Sequence, residues 1–303
     1  MTGIQSRGSG ALAGPSKRQA LAQRLRGREF TVAPGIFEMI SSRIADGFGF
    51  ECLYMTGYGT VASYLGVPDA GLGSYADMVN RAGSMADVTS TPIIADADTG
   101  YGGLLNVSHT VRGYETAGVA GIQLEDQEFP KKCGHTPGRK VIPFTDAIKK
   151  IEVAVNARTD DNMLIVARTD SRTSLGLDEA IRRGNAFREA GADVIFIESP
   201  ETSDEFSRIG QEIDAPLLAN MVEGGRSPVI SAEELTTMGF TIAIYPGTPF
   251  CAAAEALRQT YTEIKKTGTS LGLDQPLYDL SDMHKLMGFE EVWNFEKDWA
   301  EKE

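Results

Sequence analysis

The sequence predicts an α/β fold, a (β/α)8 or TIM barrel, and three observations carry that reading. Short apolar runs rich in β-branched residues recur along the chain, as expected of parallel strands covered on both faces. Amphipathic stretches separate them, and several close on an Ala/Gly turn that suits a left-handed helix cap. The runs number about eight, more than the five or six of an open doubly wound sheet, and no G-x-G-x-x-G follows the first.

Taken in order, the strand candidates are Phe30–Ala33, Cys52–Met55, Ile93–Ala95, Gly121–Leu124, Met163–Ala167, Val194–Ile197, Leu217–Ala219 and Thr241–Ile244. Helical patterns lie between them at Ile36–Ala45, Tyr75–Ser90, Val107–Ala117, Thr145–Thr159, Leu177–Ala190, Ser203–Ile213 and Ala232–Met238. Strict alternation implies parallel pairing through right-handed crossovers. Two further helices, Cys251–Thr267 and Leu280–Ala300, follow the last strand. The expected organisation is a disordered tail over residues 1–15, then one barrel domain over residues 16–303 with a C-terminal helical extension.

The first 28 residues lack Asp and Glu but carry six Lys or Arg. One reading is a transit peptide. The reading preferred here is a Gly/Ser-rich tail and a short basic helix, Lys17–Arg26, that runs straight into the first strand. A cytoplasmic protein is therefore expected, a mitochondrial one being the alternative. Three dispersed cysteines share no metal spacing and agree with a reducing compartment. A net charge of -13 argues against nucleic acid as a partner. No apolar run approaches the roughly 20 residues of a bilayer crossing, so no membrane partner is expected.

Barrel active sites lie where the strands end. Those ends read Tyr54-Met55-Thr56-Gly57, Asp96-Ala97-Asp98, Glu125-Asp126, Arg168-Thr169-Asp170, Glu198 and Asn220. Carboxylates gathered in a partly buried mouth cost several kcal/mol each unless paired or metal-bound. Single members of this set are as well explained as helix caps or partners of Arg168; the whole set points to a shared divalent ion. All-oxygen ligands favour Mg2+, or Mn2+, over zinc. The two Asp side chains of Asp96-Ala97-Asp98 are expected on the same side of an extended chain, with Gly100, Gly102 and Gly103 allowing a tight turn after them. Lys131-Lys132-Cys133-Gly134-His135 follows strand four on a long loop, where two lysines and a histidine favour the thiolate of Cys133. Cys52 is expected to be structural.

Asp96-Ala97-Asp98-Thr99-Gly100-Tyr101-Gly102 together with Lys131-Lys132-Cys133-Gly134-His135 resembles the isocitrate lyase and phosphoenolpyruvate mutase superfamily. The likeness runs from about Ser16 to the C-terminus. It implies a barrel whose last helix is swapped between subunits of a homotetramer, a dimer of dimers. It also implies Mg2+ near Asp96, Asp98 and Glu125, with Asp69 reaching it through water. Thr56, Gly57 and Tyr58, with Arg168, would hold the pyruvoyl or glyoxylate part of a small dicarboxylate. Cys133, on a mobile loop with Gly134, would be the general acid, and His135, Glu198 and Asn220 would contact the departing carboxylate.

The departures from the small methylisocitrate lyases bear on the substrate. Tyr245-Pro246-Gly247-Thr248-Pro249-Phe250-Cys251 has cysteine where an arginine would clamp a third carboxylate, and the resemblance implies that Pro246 would lie beside the substrate. Asn220-Met221-Val222 lacks the usual hydroxyl, and Met283 aligns where a further arginine is expected. An unpaired third carboxylate would cost ~3–5 kcal/mol. The expected reaction is thus Mg-dependent retro-Claisen cleavage of a 2-alkylmalate, with 2,3-dimethylmalate giving propionate and pyruvate. The proton of the C2 hydroxyl would go to Tyr54 or to a metal-bound hydroxide. Oxaloacetate hydrolysis, methylisocitrate cleavage and non-catalytic metabolite binding are the alternatives.

Overall fold

The structure is a computed structural model; it describes residues 10–300 apart from residues 135 and 137, with side chains from residue 17 onward. Eight parallel strands close into a barrel in the order β1-β2-β3-β4-β5-β6-β7-β8. The strands are β1 (Thr31–Ile36), β2 (Leu53–Met55), β3 (Ile93–Asp96), β4 (Gly121–Glu125), β5 (Leu164–Thr169), β6 (Val194–Ile197), β7 (Leu217–Asn220) and β8 (Ile242–Tyr245). The helices before the last strand are α1 (Gly10–Arg26), α2 (Met39–Asp46), α3 (Gly57–Leu65), α4 (Tyr75–Val88), α5 (Leu104–Thr116), α6 (Phe144–Ala157), α7 (Ser171–Leu175), α8 (Leu177–Glu189), α9 (Ser203–Glu212) and α10 (Ala232–Thr237). After it come α11 (Thr248–Thr267), α12 (Leu280–Met287) and α13 (Phe289–Trp299). Among the described residues no helix is long and apolar enough to cross a membrane.

The barrel is predicted correctly, and the differences at element ends have local causes. Pro34 and Gly35 belong to β1, which runs on to Ile36, so α2 starts three residues later than the periodicity suggests. Glu38 caps it, accepting from the backbone of Ile40 at 2.7 Å and Ser41 at 2.5 Å. Two short helices, α3 and α7, stand directly after strands where the sequence shows only polar strand ends. Gly288, at φ 82°, divides the predicted Leu280–Ala300 helix into α12 and α13. The basic helix begins at Gly10, seven residues before Lys17, so residues 10–15 are helical; the rest of the expected tail lies outside the described residues.

Two hydrophobic clusters follow from the period of two along each strand. Inward residues Ala33, Tyr54, Ile94, Leu164, Val166, Val194, Phe196, Leu218, Ile242 and Ile244 pack with Leu21, Ala22 and Leu25 of α1. Outward residues such as Leu53, Ile93, Ile122, Ile165 and Ile195 pack with the helices. Arg18 ties α1 to the barrel by donating from Nε to the Val119 carbonyl at 2.8 Å. The barrel unit spans Gly14–Phe250, and the helical segment from Cys251 onward belongs to a separate compact unit.

Close backbone approach on the outer ring depends on one glycine within a helix. A Cβ at Gly210 of α9 would stand 1.7 Å from the Met238 carbonyl oxygen, an atom that a rotamer change cannot move. Gly210→Ala is therefore expected to lower stability by about 3 kcal/mol, at the upper end of overpacking costs. A shifted midpoint in chemical denaturation with an unchanged m-value is the check.

Candidate active site

The inward series that fills the barrel ends, at the C-terminal mouth, in polar residues. On β3 it runs Ile94 then Asp96; on β4, Gln123 then Glu125; on β5, Val166 then Arg168. Past Phe196 of β6 comes Glu198, and past Leu218 of β7 comes Asn220. Strand register then sets neighbours side by side, Asp96 with Gln123 and Glu125 with Arg168. A cleft at this mouth is lined by Tyr54, Thr56, Tyr58, Asp69, Asp96, Glu125, Cys133, Gly134, Arg168, Glu198, Asn220 and Pro246, all expected site residues. Gly59, Lys131, Lys132, Phe196, Val222, Ile244, Gly247 and Phe250 complete its wall.

Gly57 opens α3 against this cleft. A Cβ there would lie 2.5 Å from Asp96 Oδ2, so only glycine lets the helix start reach the carboxylate. Asp96 accepts from Gln123 Nε2 at 3.2 Å and from the Asp98 amide at 2.9 Å, and Tyr54 donates to Gln123 Oε1 at 2.6 Å. The chain from Asp96 to Asp98 is not extended as expected: β3 stops at Asp96, and Asp98 adopts φ 48°. A turn, rather than strand alternation, brings both carboxylates together. Gly100 at φ 86° and Gly102 at φ 145° continue it.

Lys131 is the cation at the centre. Its ammonium lies 2.6 Å from Asp98 Oδ1 and pairs with Asp69 Oδ1, and its side chain is 4% exposed. Burial raises the Asp96 and Glu125 pKa values and pushes Asp98 up to about 6, against the pull of Lys131 or Arg168. Burial would lower the Lys131 pKa, but Asp98, Asp69, Glu125 and Asp96 together hold it well above its usual range. The cluster thus carries more negative charge than its neighbouring cations balance. Glu125 Oε1 is buried without a hydrogen bond, and Asp98 Oδ1 has the Lys131 ammonium beside it. An unsatisfied carboxylate oxygen in an all-oxygen set fits a hard divalent ion. No group of three or more His, Cys, Asp or Glu among the described residues has the spacing of a formed metal site.

Arg168 anchors the opposite side. It grips Asp170 with two bonds of 2.9 Å and stands 3.5 Å from Glu125 Oε2 and 3.4 Å from Glu198 Oε2. Burial favours the protonated form of Asp170, but Arg168 and Arg139 hold its pKa below the usual range. Arg139 Nη1 lies 2.5 Å from Asp170 Oδ1, and Nη2 donates to Ser199 Oγ at 3.2 Å. Glu198 in turn accepts from Ser199 Oγ at 2.9 Å and from Asn220 Nδ2 at 3.1 Å.

The loop bearing Cys133 is fastened by Gln127, which accepts from the Lys132 amide at 3.0 Å and donates to the Lys132 carbonyl at 2.8 Å. Cys133 is half-buried on the cleft wall. At Gly134 a Cβ would come within 2.6 Å of Arg168 Nη2, so the loop lies directly on the arginine. His135 is outside the described residues. Burial, with Asp96, raises the Tyr54 phenol pKa well above its usual range. That environment favours the protonated phenol, which donates to Gln123 Oε1. Cys52 is fully buried and its thiol is pushed up to about 12, as a structural cysteine requires.

Sequence reading missed Gln123, Arg139 and Phe196, and it read Lys131 as a neighbour of Cys133 rather than as the partner of Asp69 and Asp98. The spacing of two before Glu125 and Glu198 could have found Gln123 and Phe196. Nothing local marks Arg139, which reaches Asp170 across 31 residues.

A family model for phosphoenolpyruvate phosphomutase matches residues 21–265. The 2,3-dimethylmalate lyase of Eubacterium barkeri is 44% identical over 92% of this chain and 97% of its own length. The 2-methylisocitrate lyase of Aeropyrum pernix is 40% identical over 91% and 89% respectively. The solved structure of oxaloacetate acetylhydrolase with 3,3-difluorooxalacetate superposes at a TM-score of 0.89, with 35% identity, covering 95% of this chain and 98% of that one. The chain belongs to the phosphoenolpyruvate mutase/isocitrate lyase superfamily. It is a carbon–carbon lyase of that superfamily, whose members are magnesium-dependent.

Asp170→Asn would leave the buried Arg168 and Arg139 short of a counter-charge. A loss of about 3–5 kcal/mol in urea denaturation is expected, as for a broken buried pair; an unchanged midpoint would show that the network does not brace the mouth.

Proposed function

We propose that this lyase cleaves a 2-alkylmalate, 2,3-dimethylmalate in particular, to propionate and pyruvate. The observation that carries this reading is the composition of the cleft wall. Phe196, Val222, Ile244, Pro246 and Phe250 make one side apolar, and Arg168 is its sole arginine among the described lining residues. That arginine is already engaged with Asp170 and near Glu198. A substrate with two carboxylates and alkyl substituents matches such a wall. A tricarboxylate such as methylisocitrate would bring a third charge to a wall whose other described cations are already engaged, Lys131 with Asp69 and Asp98 and Lys132 with the Gly138 carbonyl.

Asp96, Asp98 and Glu125, with Asp69 beside them, would hold Mg2+. When bound, the ion supplies a hard positive charge that neutralises the hydroxy-acid end of the substrate. Arg168 and the start of α3, at Thr56, Gly57 and Tyr58, hold the carboxylate of the pyruvoyl portion; free backbone N–H groups at a helix start favour an anion. Tyr54 keeps its proton and, through Gln123, fixes the orientation of Asp96. The C2 hydroxyl gives its proton to a base at the carboxylate end of the cleft, where Glu125 Oε1 is free of hydrogen bonds. As the C2–O bond becomes the ketone of pyruvate, the C2–C3 bond breaks with its electron pair moving to C3, which then takes a proton from the Cys133 thiol. Glu198 and Asn220, with Gly134 from the loop, border the departing acid, and His135, outside the described residues, is the further residue assigned to it by family resemblance. Tyr58 and Phe250 meet in the cleft wall with ring centres 5.5 Å apart.

The tightly similar oxaloacetate acetylhydrolase structure makes oxaloacetate the second substrate to assay. A panel of 2,3-dimethylmalate, methylisocitrate and oxaloacetate, read as pyruvate or oxalate release, should give pyruvate from dimethylmalate at the highest kcat/KM. Oxalate as the dominant product would overturn the assignment. Cys133→Ala should lower turnover by about 10²–10⁴-fold, the usual contribution of a general acid, with magnesium affinity unchanged. A near-native rate removes Cys133 from the chemistry.

The same reading includes a cytoplasmic homotetramer with its last helix exchanged between subunits. Among the described residues α11, α12 and α13 bury none, and large apolar side chains stand exposed, Phe295 at 64% and Trp299 at 76%. Such a face is suited to a second copy. Trp293→Ser with Trp299→Ser should lower the mass measured by light scattering; an unchanged mass would count against exchange.

A further inference from the structure

We propose that Lys131 is the resident counter-cation of the metal-free site, and that a divalent ion enters by displacing its ammonium from Asp69 and Asp98. This inference depends on the magnesium reading above and extends it to a residue outside the expected ligand set. The Lys131 ammonium pairs with Asp69 and lies 2.6 Å from Asp98 Oδ1. Its charge is felt as far as Asp96 and Glu125. A metal ion bound by Asp98 within the usual ligand distance of about 2.0–2.6 Å would need the space this ammonium occupies. Two cations packed that closely in a buried setting repel strongly, so occupancy by one excludes the other. Glu125 Oε1 lacks a hydrogen bond. One ammonium, held by Asp69 and Asp98, therefore leaves a donor unused that a multiply coordinated ion would employ.

The exchange has a path through the fold. Lys131 begins the segment that carries Cys133 and Gly134, and the Asp69 segment packs on it at Gly71, where a Cβ would lie 3.1 Å from the Phe129 ring and 3.5 Å from the Lys131 amide nitrogen. Releasing the ammonium unties the Cys133 loop from both Asp69 and Asp98, while Gln127 still holds Lys132. Lys131 is in this sense a positioning residue that links the state of the metal site to the loop.

The test uses the chelator-stripped full chain and Mn2+ as probe, followed by electron paramagnetic resonance. Lys131→Met should bind Mn2+ more tightly than the unaltered chain, by a factor within the roughly 5–150-fold range typical of two coupled ligands. Equal or weaker binding overturns the exchange but leaves the metal site standing. An unaltered chain that binds no Mn2+ overturns both. A second measurement needs no variant: site-resolved acetylation by acetic anhydride, with Lys132 as internal reference. Mg2+ should raise Lys131 acetylation at least about fivefold, at the low end of the same range; an unchanged ratio overturns the proposal.

Discussion

The mouth of this barrel depends on how a surplus of buried carboxylates is kept in place. Asp69, Asp96, Asp98, Glu125, Asp170 and Glu198 converge within reach of Lys131, Arg168 and Arg139. In a low-dielectric setting each of these charges would be costly alone. Their arrangement divides the mouth in two. On one side Arg168, Asp170 and Arg139 form a pair-matched network that keeps Asp170 ionised. On the other, Asp96, Asp98 and Glu125 remain under-compensated and shift toward protonation. The first half is a brace and the second a receptor for positive charge.

That division also organises the substrate end of the cleft. The brace presents Arg168 to the cavity already oriented by Asp170, so little side-chain entropy remains to be lost when an anion binds. Gly57 and Gly134 bring backbone to the edges of both halves, against Asp96 and Arg168 respectively. Side chains at either position would push the reacting groups apart by more than the tolerance of a catalytic geometry. The apolar remainder of the wall, Phe196, Val222, Ile244, Pro246 and Phe250, would limit water around the carbanion of the proposed cleavage.

Stability and function are separated along the strand axis. Below the polar layer, Leu164, Val166, Val194, Leu218 and Ile242 fill the barrel, and α1 closes that end with Leu21 and Leu25. Above it, strand ends and their loops carry the charged groups. A substitution in the lower layers is therefore felt as packing loss, whereas one at the mouth alters the balance of charge.

The barrel itself was legible from residue spacing, because a strand covered on both faces must be apolar along its length and a helix must show the longer period. The same alternation, continued to the strand ends, marked Tyr54, Asp96, Glu125, Arg168, Glu198 and Asn220, and all of them line one cleft. What only the tertiary structure decided was the partner of each charge. Lys131 and Asp69 stand 62 residues apart, and Arg139 and Asp170 31, joined by loops whose course no local periodicity encodes. Asp98 meets Asp96 through a left-handed turn rather than through the strand. Periodicity reports which face a residue shares with its neighbours in the chain. Ion pairing depends on distances across the closed barrel, and these exist only once the eighth strand has met the first.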